Sequence, residues 1–153
     1  MIGTALPNYV IPRYDWASAC KTHQFLSQTV KQTMSIVAFE KFHGYLVGEE
    51  GATRGLVVIQ EWWGLNEDIK SIATRYSKEG FLVLAPDLYY GKIAHNADEA
   101  HHFMDGLDWH DAQAMVSAGA RLLKSKGAKA VGVTGFCMVS ESFWPLELGW
   151  RRW

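Results

Sequence analysis

The chain has 153 residues, a length that suits one domain built on a single core. Hydrophobic residues make up 48% and charged residues 20%, the balance of a globular chain and not of a disordered one. The formal net charge of −1 gives no positive excess to recruit nucleic acid or acidic lipid, and no run approaches the roughly 18 continuous apolar residues of a spanning helix. Neither nucleic acid nor membrane is therefore an expected partner.

The opening residues, MIGTALPNYVIPRYDW, lack the basic start and unbroken apolar stretch of a secretion signal. Cys20 and Cys137 are the two cysteines, and neither sits in a disulfide framework or a metal-ligand spacing. A cytoplasmic protein with free thiols is expected. Residues 1–34 are polar and mixed, carry one arginine, and hold no period for more than a few positions. They read as an unpatterned or disordered extension rather than an organelle presequence, with Met34 a candidate natural start because ordered patterning begins directly after it.

Residues 35–138 alternate strand and helix signals. A short strand, YLV at 45–47, precedes the turn GEEGATRG, and LVVIQ at 56–60 is a continuous apolar run, as a strand covered on both faces should be. NEDIKSIATRYSKEG follows as a helix: Asn66 caps it, Glu67 and Asp68 suit its first turn, and Gly80 suits its end. Ile69, Ile72, Ala73 and Tyr76 give it one buried stripe. FLVLA at 81–85 is a second buried strand, stopped by Pro86. The loop DLYYGKIAHN leads to a short helix around 97–104. Asp108 then opens a longer helix, whose stripe includes Ala112, Met115, Val116, Gly119, Leu122 and Leu123 and which Gly127 closes. AVGVTG at 130–135 is a third strand. Strands alternating with helices define an α/β fold with a mostly parallel sheet and flanking helices.

Residues 139–153 break this order. Three of the seven tryptophans fall in the last ten residues, without a heptad, an alternation or a helical period. The ending LGWRRW has no long amphipathic face to rest on a membrane, so a tail foreign to the domain is expected.

The tetrapeptide GFCM at 135–138, following a buried strand, has the local shape of a nucleophile elbow. There a nucleophile stands on a strained turn above the sheet's carboxyl edge, and the following helix turn favours thiolate over thiol. Taken alone, Cys137 reads equally well as a small buried hydrophobe. Its neighbourhood is more specific. QEWWGLNEDI at 60–69, APDLYYG at 85–91 and VGVTGFCM at 131–138, in this order and spacing, resemble the dienelactone hydrolase family of α/β-hydrolases over about residues 42–138.

That resemblance implies a carboxylic ester or lactone hydrolase working without metal or organic cofactor. It makes Cys137 the nucleophile and Glu61 the carboxylate that meets the resting cysteine and helps to generate its thiolate. It assigns the backbone N–H groups of Trp62 and Met138 to the oxyanion hole, donors that contribute on the order of 3 kcal/mol each. It also implies that the strand ending at Glu61 lies beside the strand ending at Cys137, so that their carboxyl ends converge. Trp62 either lines the substrate pocket or packs; Trp63 packs; Tyr89 and Lys92 are pocket candidates. His95, His101, His102 and His110 lie among acidic residues, but the family has no metal there and a polar helix surface accounts for them.

The family pattern is lost at Val139, where the family has a glycine. The resemblance further calls for an aspartate and a histidine after the nucleophile, and none of the sixteen residues following Cys137 is either. Base and nucleophile act as a unit, so an incomplete α/β-hydrolase fold, truncated after its nucleophile and inactive, is expected. The alternative is a non-catalytic module that associates through the sheet edge beside the Cys137 strand, with a second copy as one partner.

Overall fold

The structure, a computed structural model, describes residues 32–137. Its first elements are a hairpin of β1 (Gln32–Phe39) and β2 (Phe42–Glu49), paired in register from Gln32↔Glu49 to Phe39↔Phe42. The sequence signals show only the centre of β2, at 45–47, and miss β1. The reason lies in the turn. Glu40 takes the left-handed conformation (φ 51°) at a place where Gly or Asn normally announces a hairpin. Gln32, Thr33 and Met34 thus lie in a strand, inside the stretch expected to be unpatterned. The remaining residues of that extension, and those from Met138 onward, lie outside the described residues.

The elements that follow have the caps their sequence supplies. After β3 (Arg54–Ile59), helix α1 (Glu67–Lys78) starts where Asn66 Oδ1 accepts the Ile69 N–H at 3.1 Å. After β4 (Phe81–Pro86), helix α2 (Ala97–Asp105) is capped by Asn96, whose Oδ1 accepts the Glu99 N–H, while Glu99 Oε2 reaches back to accept the N–H of His95, one residue before the cap. Helix α3 (Trp109–Ser125) opens at Asp108, whose Oδ1 accepts from His110 and Asp111, and Gly127 (φ 110°) lets the chain leave it. Strand β5 (Ala130–Gly135) completes the described elements.

These strands make one mixed sheet in the order β1-β2-β4-β3-β5. β1 pairs with β2, and β2 with β4, antiparallel, whereas β3 lies parallel to both β4 and β5. Strict alternation along β3 and β4 sends Val57, Ile59, Leu82 and Leu84 to one face and Leu56, Val58, Val83 and Ala85 to the other. The first set packs with α3 through Met115, Val116 and Leu123; the second packs with α1 through Ile69 and Ala73. Covering both faces explains why these strands read as unbroken apolar runs.

Close approach decides where a methyl group is tolerated. A Cβ on Gly44 would lie 2.7 Å from the Ala85 carbonyl oxygen and 3.0 Å from the Pro86 Cα, both backbone atoms fixed by the β2–β4 pairing. On Gly119 it would meet the Leu84 Cδ2 at 2.7 Å, the end of a side chain that can rotate. Gly44→Ala should therefore cost about 2–3 kcal/mol and Gly119→Ala under about 1 kcal/mol. Urea midpoints of the two variants, compared with the parent, would test this ordering; a reversed order would contradict the packing described.

Candidate active site at the carboxyl edge of the sheet

Because β3, β4 and β5 run in one direction, the segments that leave them meet at a single edge. The β3–β5 register ends at Ile59↔Gly135, and Glu61 and Cys137 each stand two residues beyond that pair. The adjacency implied by the resemblance is thus present. Cys137 is exposed and adopts φ 59°, the left-handed region that a side chain with a Cβ rarely occupies. An elbow requires such a turn, with the thiol presented above the sheet.

Glu61 is half-buried and begins a tight turn in which its carbonyl accepts the Gly64 N–H at 3.2 Å. Gly64 (φ 100°) permits the closest approach at this edge: a Cβ there would fall 2.5 Å from the Lys92 carbonyl oxygen. The Ala94 N–H adds a bond to the Trp63 carbonyl at 2.9 Å, so the turn after β3 and the loop after β4 are locked together. Trp62 and Trp63 meet edge-on with ring centroids 5.1 Å apart, and Trp62 also packs on the α3-side core and near His101 (6.2 Å). Met138, the second expected oxyanion donor, lies outside the described residues.

The loop at 87–92 is organised by Asp87, a residue to which the sequence signals assign no role. Its Oδ2 accepts the Gly91 N–H at 2.6 Å and its Oδ1 the Tyr89 N–H at 3.3 Å, a side chain acting as the turn's own acceptor. Burial pushes its carboxyl above the usual range, against the pull of these two N–H groups and of His43 and Lys70. The loop carries Tyr89, which is buried and packs edge-on against Phe103 at 5.6 Å between ring centroids. Burial, and then the charge of a nearby Cys137 thiolate, push the Tyr89 phenol up to about 12. Tyr89 therefore stays protonated, with its hydroxyl a potential donor, at neutral pH.

Gln60 is a second group the sequence signals pass over. It is wholly buried at the end of β3; its Oε1 accepts the Leu88 N–H at 3.2 Å, while its Nε2 finds no partner among the described residues. A polar residue closing an apolar run was the available signal. Gln60 ties the strand end carrying Glu61 to the loop carrying Tyr89.

A cavity of about 380 Å³ opens on the α2–α3 side of this loop, lined by Tyr89 and Lys92 among others. Trp62, Glu61 and Cys137 do not line it, so of the expected pocket residues two meet there and one does not. Among the described residues no group of three or more His, Cys, Asp or Glu side chains is placed to hold a metal ion. His101 instead pairs with Asp105 at 3.5 Å along α2.

A mixed sheet covered by helices on both faces, with three parallel strands ending at one edge, is part of an α/β-hydrolase architecture. The dienelactone hydrolase family model matches residues 42–142, and the chain belongs to that family. It is 38% identical over 115 residues to Protein usf of Aquifex pyrophilus, covering 67% of this chain and 50% of that protein. It is 33% identical over 115 residues to an Aquifex aeolicus protein named as a carboxymethylenebutenolidase, with the same coverage of 67% and 50%. The solved structure of m3DLH superposes with a TM-score of 0.63 at 25% identity, covering 76% of this chain and 53% of that one. The chain thus spans about half the length of the curated relatives it matches.

The raised Asp87 carboxyl carries a stability consequence. Its folded value exceeds the ordinary 3.8, so the ionised form is disfavoured by folding. The stability it contributes is full below pH 3.8 and is lost as pH rises through the folded value. Asn at this position has no such loss. The parent should lose stability relative to Asp87→Asn as pH rises from about 3 to 7, the range around the carboxylate reference. Chemical denaturation of both proteins across that range checks the sign.

Proposed function

We propose that Cys137 is the nucleophile of a hydrolase acting on small carboxylic esters or lactones, working in the cytoplasm without metal or organic cofactor. The observation that carries this reading is the left-handed turn at Cys137, held level with Glu61 by the parallel β3–β5 register. Glu61 meets the resting thiol and helps to generate the thiolate. The thiolate then attacks the ester carbonyl carbon, and the N–H groups of Trp62 and Met138 hold the oxyanion. Collapse breaks the C–O bond, releasing the alcohol with the proton that Glu61 took from the thiol and leaving a thioester on Cys137. Water must still cleave that thioester, and activating it is the task of a histidine held by an aspartate, neither of which follows Cys137 in these 153 residues. This polypeptide by itself stops at the thioester.

A non-catalytic role has one observation of its own. β3 and β4 are almost wholly buried, whereas β5, at the sheet's border among the described residues, is half-exposed along its length. An open border offers backbone N–H and C=O groups to another strand, and a second copy of the chain is the partner proposed. Self-association at micromolar concentration would favour this role; a monomer with a cooperative thermal transition would count against it.

Two outcomes test the hydrolase reading. The 153-residue chain should release no more than about one equivalent of p-nitrophenol from a p-nitrophenyl ester, the stoichiometry of one nucleophile. Steady turnover abolished by Cys137→Ala would refute the inactivity of this polypeptide and leave the nucleophile standing. Iodoacetamide should label Cys137 much faster than Cys20, and Glu61→Gln should change the pH dependence of labelling at Cys137 alone. Equal rates at both cysteines, insensitive to Glu61, would refute the nucleophile assignment.

A further inference from the structure

We infer that the cavity between the loop at 87–92 and helices α2 and α3 is a subsite for an uncharged, ring-sized apolar group, one arm of the ester whose carbonyl meets Cys137. Ring binding stands on the cavity alone; its role as a substrate subsite rests on the hydrolase reading.

Size is the first argument. At about 380 Å³ the space falls within the roughly 300–1,000 Å³ of small-molecule sites and exceeds the ~150 Å³ apolar void that accepts benzene. It fits a ring with a short substituent. Chemistry is the second. Leu88, Phe103, Leu107, Ala112 and Met115 supply an apolar lining, with Ala112 and Met115 on the first turns of α3 and almost wholly buried. Phe103 already meets Tyr89 edge-on, and a guest ring extends that packing, with the Met115 thioether as a further soft contact.

Charge is the third argument, and it selects against ions. Asp111 accepts from Lys41 at 2.7 Å and from the Tyr90 hydroxyl, which holds its carboxyl below the usual range. Asp108 is occupied as the cap of α3. The Lys92 ammonium rests 5.7 Å from the Phe103 ring centroid. Of the two carboxylates in the lining, Asp111 is thus engaged by Lys41 and Tyr90 and Asp108 by the first N–H groups of α3, while Lys92 faces a ring, so the cavity discriminates by shape. Tyr89 supplies the link to chemistry: it forms the cavity wall, and its loop leaves β4 at the same edge of the sheet where Cys137 follows β5. An arm seated behind Tyr89 leaves the reacting carbonyl on the Cys137 side.

The test uses the full 153-residue chain and benzyl alcohol, followed by saturation-transfer NMR. Saturable binding is expected to the parent and equally to Cys137→Ala. Ala112→Leu, which fills the floor, and Leu107→Trp, which fills the rim, should each weaken it at least about tenfold. Benzoate and benzylammonium should bind no tighter than benzyl alcohol, a comparison that needs no variant to fold. N-benzyliodoacetamide should outpace iodoacetamide at Cys137 by at least about tenfold more than it does at Cys20. Absence of saturable binding, a marked preference for either ion, or the same benzyl preference at both cysteines would overturn the subsite. Slow iodoacetamide labelling of Cys137 with benzyl alcohol still bound would instead overturn the hydrolase reading and leave the ring site in place.

Discussion

Parallel pairing of β3 with both β4 and β5 is the constraint from which the remaining geometry follows. A strand with a neighbour on each side and a helix on each face has no exposed surface, so its residues must be apolar on both faces and its backbone fully paired. β3 meets this with Leu56, Val57, Val58 and Ile59, none more than 8% exposed. Gly55 supplies the necessary closeness at its start: a Cβ there would crowd Val131, Ala128 and Leu123 at 3.0–3.2 Å. The end of α3 and the beginning of β5 therefore settle directly onto β3, and the register that follows sets Cys137 level with Glu61.

Order at the far end of that register is maintained at a conformational cost. Tyr90 and Cys137 both adopt left-handed backbone angles, each a strain of order 1–3 kcal/mol for a residue with a side chain. Gln60 adds a buried amide nitrogen without a partner among the described residues. Several contacts offset this: the two N–H groups held by Asp87, the Leu88 N–H held by Gln60, the Gly64–Lys92 approach and the edge-on pair of Tyr89 and Phe103. Two of the three described non-glycine residues with left-handed angles thus stand where chain segments converge, the third being Glu40 in the hairpin turn.

The antiparallel hairpin plays a supporting part from the other border of the sheet. Arg121 on α3 donates to Glu40 Oε1 at 3.0 and 2.9 Å, and Lys41 donates to Asp111 at 2.7 Å, so the hairpin turn is tied to the helix that covers the sheet. Exposed pairs of this kind contribute little each. Their effect is positional: Asp111, held between Lys41 and Tyr90, joins the hairpin turn to the loop that carries Tyr89.

Local chemistry made much of this protein legible from its sequence. Continuous apolar runs identified β3, β4 and β5 because strands buried on both faces admit no alternation; Asn66 and Asp108 identified helix starts because unsatisfied N–H groups there need a side-chain acceptor. The motifs around Glu61, Asp87 and Cys137 identified the family. The β1–β2 hairpin was not legible, since Glu40 adopts a glycine-like angle without a glycine's signal. Nor were the acceptor roles of Gln60 and Asp87 or the cavity beside Tyr89, because their partners lie on other strands and helices and exist only once the sheet order β1-β2-β4-β3-β5 brings them together. The sequence by itself determined most elements and caps, properties of neighbours within a few residues, and through three spaced motifs the family that makes Cys137 the candidate nucleophile. Tertiary structure alone decided how the loop after β4 locks onto the turn after β3 and what α2 and α3 enclose beside it, because that depends on contacts between residues dozens of positions apart.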